Sequence, residues 1–212
     1  MLQFKHRSDD SSKDKLVWKW WKGEATSLDD FGHPIPTPPA DPISYQICIY
    51  DETARTPSLV VDSHAPGGDT GCGRNDNRPC WKPLGRQGFR YRNPTPSQLG
   101  MQVATSQQVT VRKGANGEAR ISVGGKGKNL NLPPVPTPAP NVNCQDPTGR
   151  CLFNQDTKVI VQLQQVPPTP GVCWEAVYEA PAVKSTIDEF TDVYNVLHLG
   201  PTPPAPTATP TP

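Results

Sequence analysis

Long apolar runs are missing from this 212-residue chain, and no stretch approaches the roughly 20 residues a membrane-spanning helix needs. No membrane insertion is therefore expected. An apolar leader is missing as well: Met1 is followed by Leu-Gln-Phe-Lys-His-Arg-Ser-Asp-Asp, which has no signal-peptide core. Hydrophobic residues are scarce at 34%, too few for a large core. Charge of one sign is not in excess, since the net charge is +1 with acids and bases interspersed. That balance argues against a nucleic-acid partner, which usually calls for a strongly basic face.

Catalytic signatures are also lacking. There is no Gly-x-Ser-x-Gly elbow, and the histidines, His6, His33, His64 and His198, are scattered. Gly124-Gly125-Lys126-Gly127-Lys128 lacks the spacing and the following helix of a phosphate loop. Asp51, Glu52, Glu175 and Glu179 supply carboxylates for glycoside hydrolysis, but each reads as a strand residue facing solvent or a cation. No catalytic residue, no cofactor and no enzymatic activity are expected; a secreted hydrolase is a distant third reading.

Proline is what the chain has in plenty, at 27 residues. A residue without a backbone donor limits long helices and favours short strands joined by turns. Strand patterns recur along the chain. Residues 2–5 and 15–22 flank a polar turn, with Trp18 and Trp20 on one face and Trp21 on the other. Ile43–Tyr50 alternates, as does Gln87–Arg92. Gln108–Lys113 and Glu118–Val123 flank Gly114-Ala115-Asn116-Gly117 and make a β-hairpin. Ser58–Asp62, Leu130 with Leu132, Thr157–Gln164 and Gly171–Tyr178 complete the set. The single helical turn expected lies near Ile187–Phe190, where Thr186 and Glu189 have capping-box spacing. The predicted fold is all-β: an antiparallel β-sandwich of about 8–10 short strands, with a closed barrel as runner-up. Residues 1–198 form the module, 133–157 a loop insert, and 199–212 (from PTPPAPTATPTP and its preceding residues) a disordered Pro/Thr-rich linker.

Six cysteines in a loop-rich chain point to three disulfides and an oxidising compartment. Cys72–Cys80 and Cys144–Cys151 bracket short turn-rich loops whose ends meet at little entropic cost. Cys48–Cys173 remains as the third bridge, tying distant strands. Zinc is the rival reading, but neither close pair has knuckle spacing. An oxidising habitat without a leader leads to a chain that is a segment of a longer secreted or cell-surface precursor, or one with a misplaced start.

The series Trp18-Lys19-Trp20 with Gly23, Phe31-Gly32-x-Pro34, Tyr45-x-x-Cys48-Ile49-Tyr50-Asp51, Cys80-Trp81, Gly88-Phe89-Arg90-Tyr91, Gly117-x-Ala119-x-Ile121-x-Val123 with Gly125-Lys126-Gly127-x-Asn129-Leu130-x-Leu132-Pro133, Val161-Gln162-Leu163 and Cys173-Trp174-Glu175-Ala176-x-Tyr178 resembles an uncharacterised module of large secreted or surface proteins of environmental bacteria. The resemblance runs from about Leu2 to about Phe190. It implies a β-rich extracellular module and no catalytic residue.

Binding candidates follow from chemistry. Trp21 and Trp81 are the tryptophans expected to be exposed for stacking on sugars, the others filling the core. Arg90, Arg92, Arg120, Lys126 and Lys128, with Arg112 and Lys113, fall on or beside strands and offer a patch for an anionic surface polymer, or simply a solvated sheet face. Asp69, Asn75, Asp76 and Asn77 form a weak calcium candidate in a glycine-rich loop; no metal is otherwise expected. The favoured role is a structural, adhesive or display module. Binding of a glycan or anionic polymer is the alternative, with surface polysaccharide or neighbouring modules as partners. The stacking version of that alternative needs at least two rings exposed on one face.

Overall fold

The computed structural model describes residues 1–7, 10–36, 41–53, 56–72, 78–93, 106–127, 130, 143–153, 155–167 and 173–194. The Pro/Thr-rich stretch 199–212 and much of 133–157 lie outside these. The chain is all-β and antiparallel. Its strands are β1 (Leu2–Lys5), β2 (Lys15–Gly23), β3 (Ser44–Thr53), β4 (Thr56–Ala65), β5 (Trp81–Pro83), β6 (Gly88–Asn93), β7 (Ser106–Arg112), β8 (Ala119–Lys126), β9 (Lys158–Val166), β10 (Cys173–Glu179), β11 (Lys184–Ser185) and β12 (Glu189–Asp192). Eight form one sheet in the order β11-β12-β1-β2-β8-β7-β6-β5; four form the other, β10-β9-β3-β4.

Alternation explains which face each strand buries. Leu16, Trp18 and Trp20 of β2 are buried, as are Val109 and Val111 of β7 and Ala119, Ile121 and Val123 of β8. From the smaller sheet Tyr45, Ile47, Ile49, Val159, Val161, Leu163, Trp174, Ala176 and Tyr178 meet them. The core is therefore one apolar layer between two sheets, as the sequence pattern predicts. Aromatic rings knit it: Phe153 lies 4.9 Å from Phe4 and 4.8 Å from Phe190, and Phe31 lies 5.0 Å from Trp174. The Trp20 indole N–H crosses between sheets to donate to the Glu175 carbonyl at 3.0 Å. Its ring rests on Gly23, where an added Cβ would come within 1.8 Å of it. Between Trp21 and Gly23 a bulge shifts the β2–β8 register, so that Gly23 pairs with Ala119, and Lys22 takes a positive φ of 59° there.

Two expectations are corrected here. The segment around Ile187–Phe190 is not helical. Thr186 and Glu189 exchange backbone contacts (Thr186 N–H to the Glu189 carbonyl, 2.8 Å) and the Thr186 hydroxyl accepts from the Glu189 N–H at 3.1 Å. This closes a hairpin between β11 and β12, with Phe190 in the core. Capping-box spacing also suits a tight turn, because both need a side-chain acceptor for a donor three residues on. Within the described part of the loop insert, Leu152 and Phe153 are core residues. Gln155, fully buried, binds three elements at once. Its backbone N–H donates to Asp51 Oδ1 at 2.9 Å, its Nε2 to Asp192 Oδ2 at 3.2 Å, and its Oε1 accepts from the Ala182 N–H at 3.2 Å.

The second correction concerns sulfur. Cys72–Cys80 and Cys144–Cys151 are disulfides, with Cα separations of 5.0 and 5.7 Å. Cys48 and Cys173 are buried free thiols. Both lie on the outer face of the smaller sheet, but β9 runs between them: Cys48 is opposite Gln162, and Cys173 is opposite Gln164. Two strand spacings, on the order of 10 Å, exceed the reach of a disulfide. Tyr50 interacts with the Cys48 thiol and with Gln164. Burial pushes the thiols up to about 11 for Cys48 and about 12 for Cys173. The two bridges point to maturation in an oxidising, extracytoplasmic environment. Among the described residues no helix is long and apolar enough to cross a membrane.

Candidate polyanion-binding face

Strand order turns the scattered basic residues into a surface. On the eight-stranded sheet, the positions between buried ones point away from the core. They carry Lys5 on β1, Lys15 and Lys19 on β2, Arg120 and Lys126 on β8, Arg112 on β7, Arg90 and Arg92 on β6, Lys82 on β5 and Lys184 on β11. Among the described outward strand positions of this sheet, the only carboxylate is Glu189. It lies 3.7 Å from Lys5 Nζ and 2.6 Å from Lys184 Nζ, which holds its carboxyl below the usual range. The other cations of this face make no ion pair among the described residues.

The register makes the arrangement more telling than the composition. Arg112 stands directly opposite Arg120, Lys82 opposite Arg90, and Lys15 between Lys126 on one side and Lys5 on the other. Like charges directly opposite each other destabilise a sheet by a few tenths to about 1 kcal/mol per pair. Between the cationic rows runs a neutral one, Gln108, Gly124, Val17 and Gln3, with Arg92 at one end.

Of the sequence-derived candidates, Arg90, Arg92, Arg120, Lys126 and Trp21 share this face; Lys128 lies outside the described residues. Trp21 is the single exposed tryptophan, at 47%, directly across from Arg120, with Lys19 Nζ 4.8 Å over its ring. The Tyr194 hydroxyl donates to the Trp21 carbonyl at 2.7 Å. Trp81 was expected on the surface and is instead 1% exposed. β5 pairs Trp81 with Tyr91, whose ring lies 5.2 Å away, and Tyr45 lies 5.3 Å off on the opposing sheet. The Trp81 indole N–H is satisfied by the Pro66 carbonyl at 2.7 Å. With one exposed tryptophan, the two-ring platform asked of a stacking site is not met by tryptophans. Lys15, Lys19 and Lys82 belong to the face but escape sequence reasoning; their alternation with buried neighbours was the available signal.

The opposite outer face, on the smaller sheet, has a different character. Asp62, Glu175 and Glu179 lie there beside Gln46, Gln162 and Gln164. Gln162 Nε2 donates to Glu175 Oε2 at 2.6 Å, and Gln164 Nε2 to Gln162 Oε1 at 2.7 Å. Glu52 is paired with Lys158 at 3.8 Å. Three of the four carboxylates considered for hydrolysis are engaged: Asp51 by the Gln155 backbone, Glu52 by Lys158 and Glu175 by Gln162.

For the calcium candidate, Asp69 accepts the Tyr91 hydroxyl at 2.8 Å. Its carboxylate clusters with Cys72 and Cys80, but those sulfurs are joined to each other and are not thiolate ligands. Asn75, Asp76 and Asn77 lie outside the described residues. Comparisons with protein-family models, with curated proteins and with solved structures find no match to this chain.

Proposed function

We propose that this chain is a non-catalytic adhesive module of a secreted or cell-surface protein, and that it holds an acidic polymer against the outer face of its eight-stranded sheet. The observation that carries this reading is the stacking of like charges in register across β1, β2, β8, β7, β6 and β5. Strand positions on a solvated face are free to alternate in sign, and a sheet selected for stability alone would do so. Unrelieved repulsion is relieved by a bound polyanion, and counterion release then supplies much of the affinity. The resemblance to surface modules of bacteria, the two disulfides and the Pro/Thr-rich stretch fit a module displayed outside the cell.

The test is binding of the whole chain to immobilised acidic polymers across a salt series. The expected result is saturable binding that weakens steeply between low and high salt, and further weakening when Arg112, Arg120, Lys15 and Lys126 are each replaced by Gln. Binding that is indifferent to salt, or no binding to any polyanion at low salt, would remove the proposal.

A further inference from the structure

Resting on that reading, we infer that the ligand is a single extended acidic polysaccharide chain. It crosses the strands along the neutral row and descends onto Gly124. The observation is a glycine with no structural reason to be one. Gly124 sits inside β8, paired with Gln108 on one side and Val17 on the other, with no register shift there. A glycine in a strand interior weakens the strand, and marks a bulge, a bend or the close approach of another molecule. The bulge of this strand pair lies elsewhere, between Trp21 and Gly23. Nor does crowding demand it: a Cβ at Gly124 would meet only the Leu16 carbonyl, at an ordinary 3.9 Å. Neither is a positive φ recorded for it.

What the missing side chain does leave is a floor. On either side along the strands, one alternation away, stand cations: Lys126 and Lys15 on one flank, Lys19 and Arg90 on the other. Each flank lies roughly 7 Å from the neutral row, so the two flanks stand roughly 13 Å apart, four times the rise per residue of a strand. That is wide enough for one extended chain and too narrow for a duplex or a lipid surface, which would rest on the tips of the basic side chains. The row itself offers Gln3 and Gln108 for hydroxyl groups. It holds no aromatic ring, whereas single-stranded nucleic acids depend on stacking platforms. Hydroxyls along a thin backbone with regularly spaced carboxylates describe a polyuronate.

The experiment measures binding of an oligogalacturonate and of duplex DNA to the native chain and to Gly124→Val and Gly124→Ala, at one fixed low salt. Thermal midpoints are recorded in parallel. Both variants should fold with midpoints at or above the native one, since a strand interior gains from a side chain. Oligogalacturonate binding should fall about tenfold or more in Gly124→Val and less in Gly124→Ala. Duplex DNA, resting higher, should bind both variants within about twofold of the native chain. The fully methyl-esterified oligomer should bind the native chain at least about tenfold more weakly. Unchanged oligogalacturonate binding in both variants overturns the trough while leaving the basic face standing, as does native binding of duplex DNA alone. Failure of the native chain to bind either probe overturns the underlying reading instead. Should Gly124→Val not fold, the Gly124→Ala comparison decides.

Discussion

Replacing Arg120 by Thr should make the unliganded protein more stable, which is the reverse of what loss of a surface side chain usually does. Arg120 faces Arg112 directly across the β7–β8 pair, and Lys19 lies diagonally across β2. Two unit charges about 7 Å apart in water repel by roughly 0.6 kcal/mol, and the diagonal neighbour adds less. In dilute buffer the expected gain is therefore about 0.6 kcal/mol or slightly more, and screening at 0.1 M salt reduces both contributions. For a chain of this size that is about 1–2 °C in Tm. Threonine also suits a solvated strand position. The assay is denaturant unfolding at low ionic strength and again in high salt, with the m-value as a check that the same surface is exposed. The gain should shrink in high salt. Arg112→Thr should give a similar gain, and the double variant less than the two gains together, since each single change relieves the same repulsion. Lys15→Thr, which removes a cation from between Lys5 and Lys126, should gain more than either. The reasoning is refuted if Arg120→Thr loses stability in dilute buffer, or if its effect is the same with and without salt.

Two further outcomes test the framework under the face. A thiol reagent at pH 8 should find almost nothing in the native protein and two thiols per chain after unfolding, because Cys48 and Cys173 are buried and held protonated; six or none after unfolding would contradict the disulfide assignment. Gln155→Leu should cost about 2–4 kcal/mol, measured by denaturant midpoint, since it leaves the buried Ala182 N–H without its acceptor and takes one donor from the Asp192 carboxylate, which keeps the Val193 N–H. The pH dependence carries a sign. Burial raises the Asp192 carboxyl above its ordinary range, so stability from this group is fully present below the unfolded value and is lost as pH rises through the folded one. Gln155 helps to hold the ionised form, and its loss should therefore cost more at neutral pH than in acid. An equal cost at both would show that Asp192 is not the group concerned.

Local patterning carried much of the fold. The Asn116-Gly117 turn with its alternating flanks reads directly as β7 and β8, and the parity of Trp18, Trp20 and Trp21 assigns two rings to the core and one to solvent. What local pattern cannot supply is strand order. Cys48 and Cys173 were rightly placed in strands and share a face, yet β9 separates them, and nothing within either segment announces that neighbour. Trp81 failed for a related reason: a three-residue strand has no alternation to read, and its inward direction is set by pairing with β6. Gln155 was invisible because a glutamine in a polar loop looks like solvent-facing sequence. Its importance comes from three elements that converge on it only in the folded chain.

The basic face shows the same division at the scale of the whole molecule. A net charge of +1 with interspersed signs argues against a nucleic-acid partner and gives no hint of how strongly the cations gather, because that sum averages two sheets that face opposite ways. Cations gather on the outer face of the larger sheet, whereas Asp62, Glu175 and Glu179 lie on the outer face of the smaller one. A sandwich separates two such faces by its own thickness, roughly 10 Å between sheets plus the side chains, which exceeds the Debye length of about 8 Å at physiological salt. Each face therefore presents its own field to solvent. A polyanion meets attraction on one side and repulsion on the other, so the module docks in one orientation. Near-neutral overall charge keeps long-range, indiscriminate attraction weak, while registered cations act at contact. Removing acids from the smaller sheet should then broaden what the protein binds without tightening its grip on the preferred polymer. A gain of affinity for that polymer in the salt series on neutralising Asp62 and Glu179 together would mean that the two faces do not act independently.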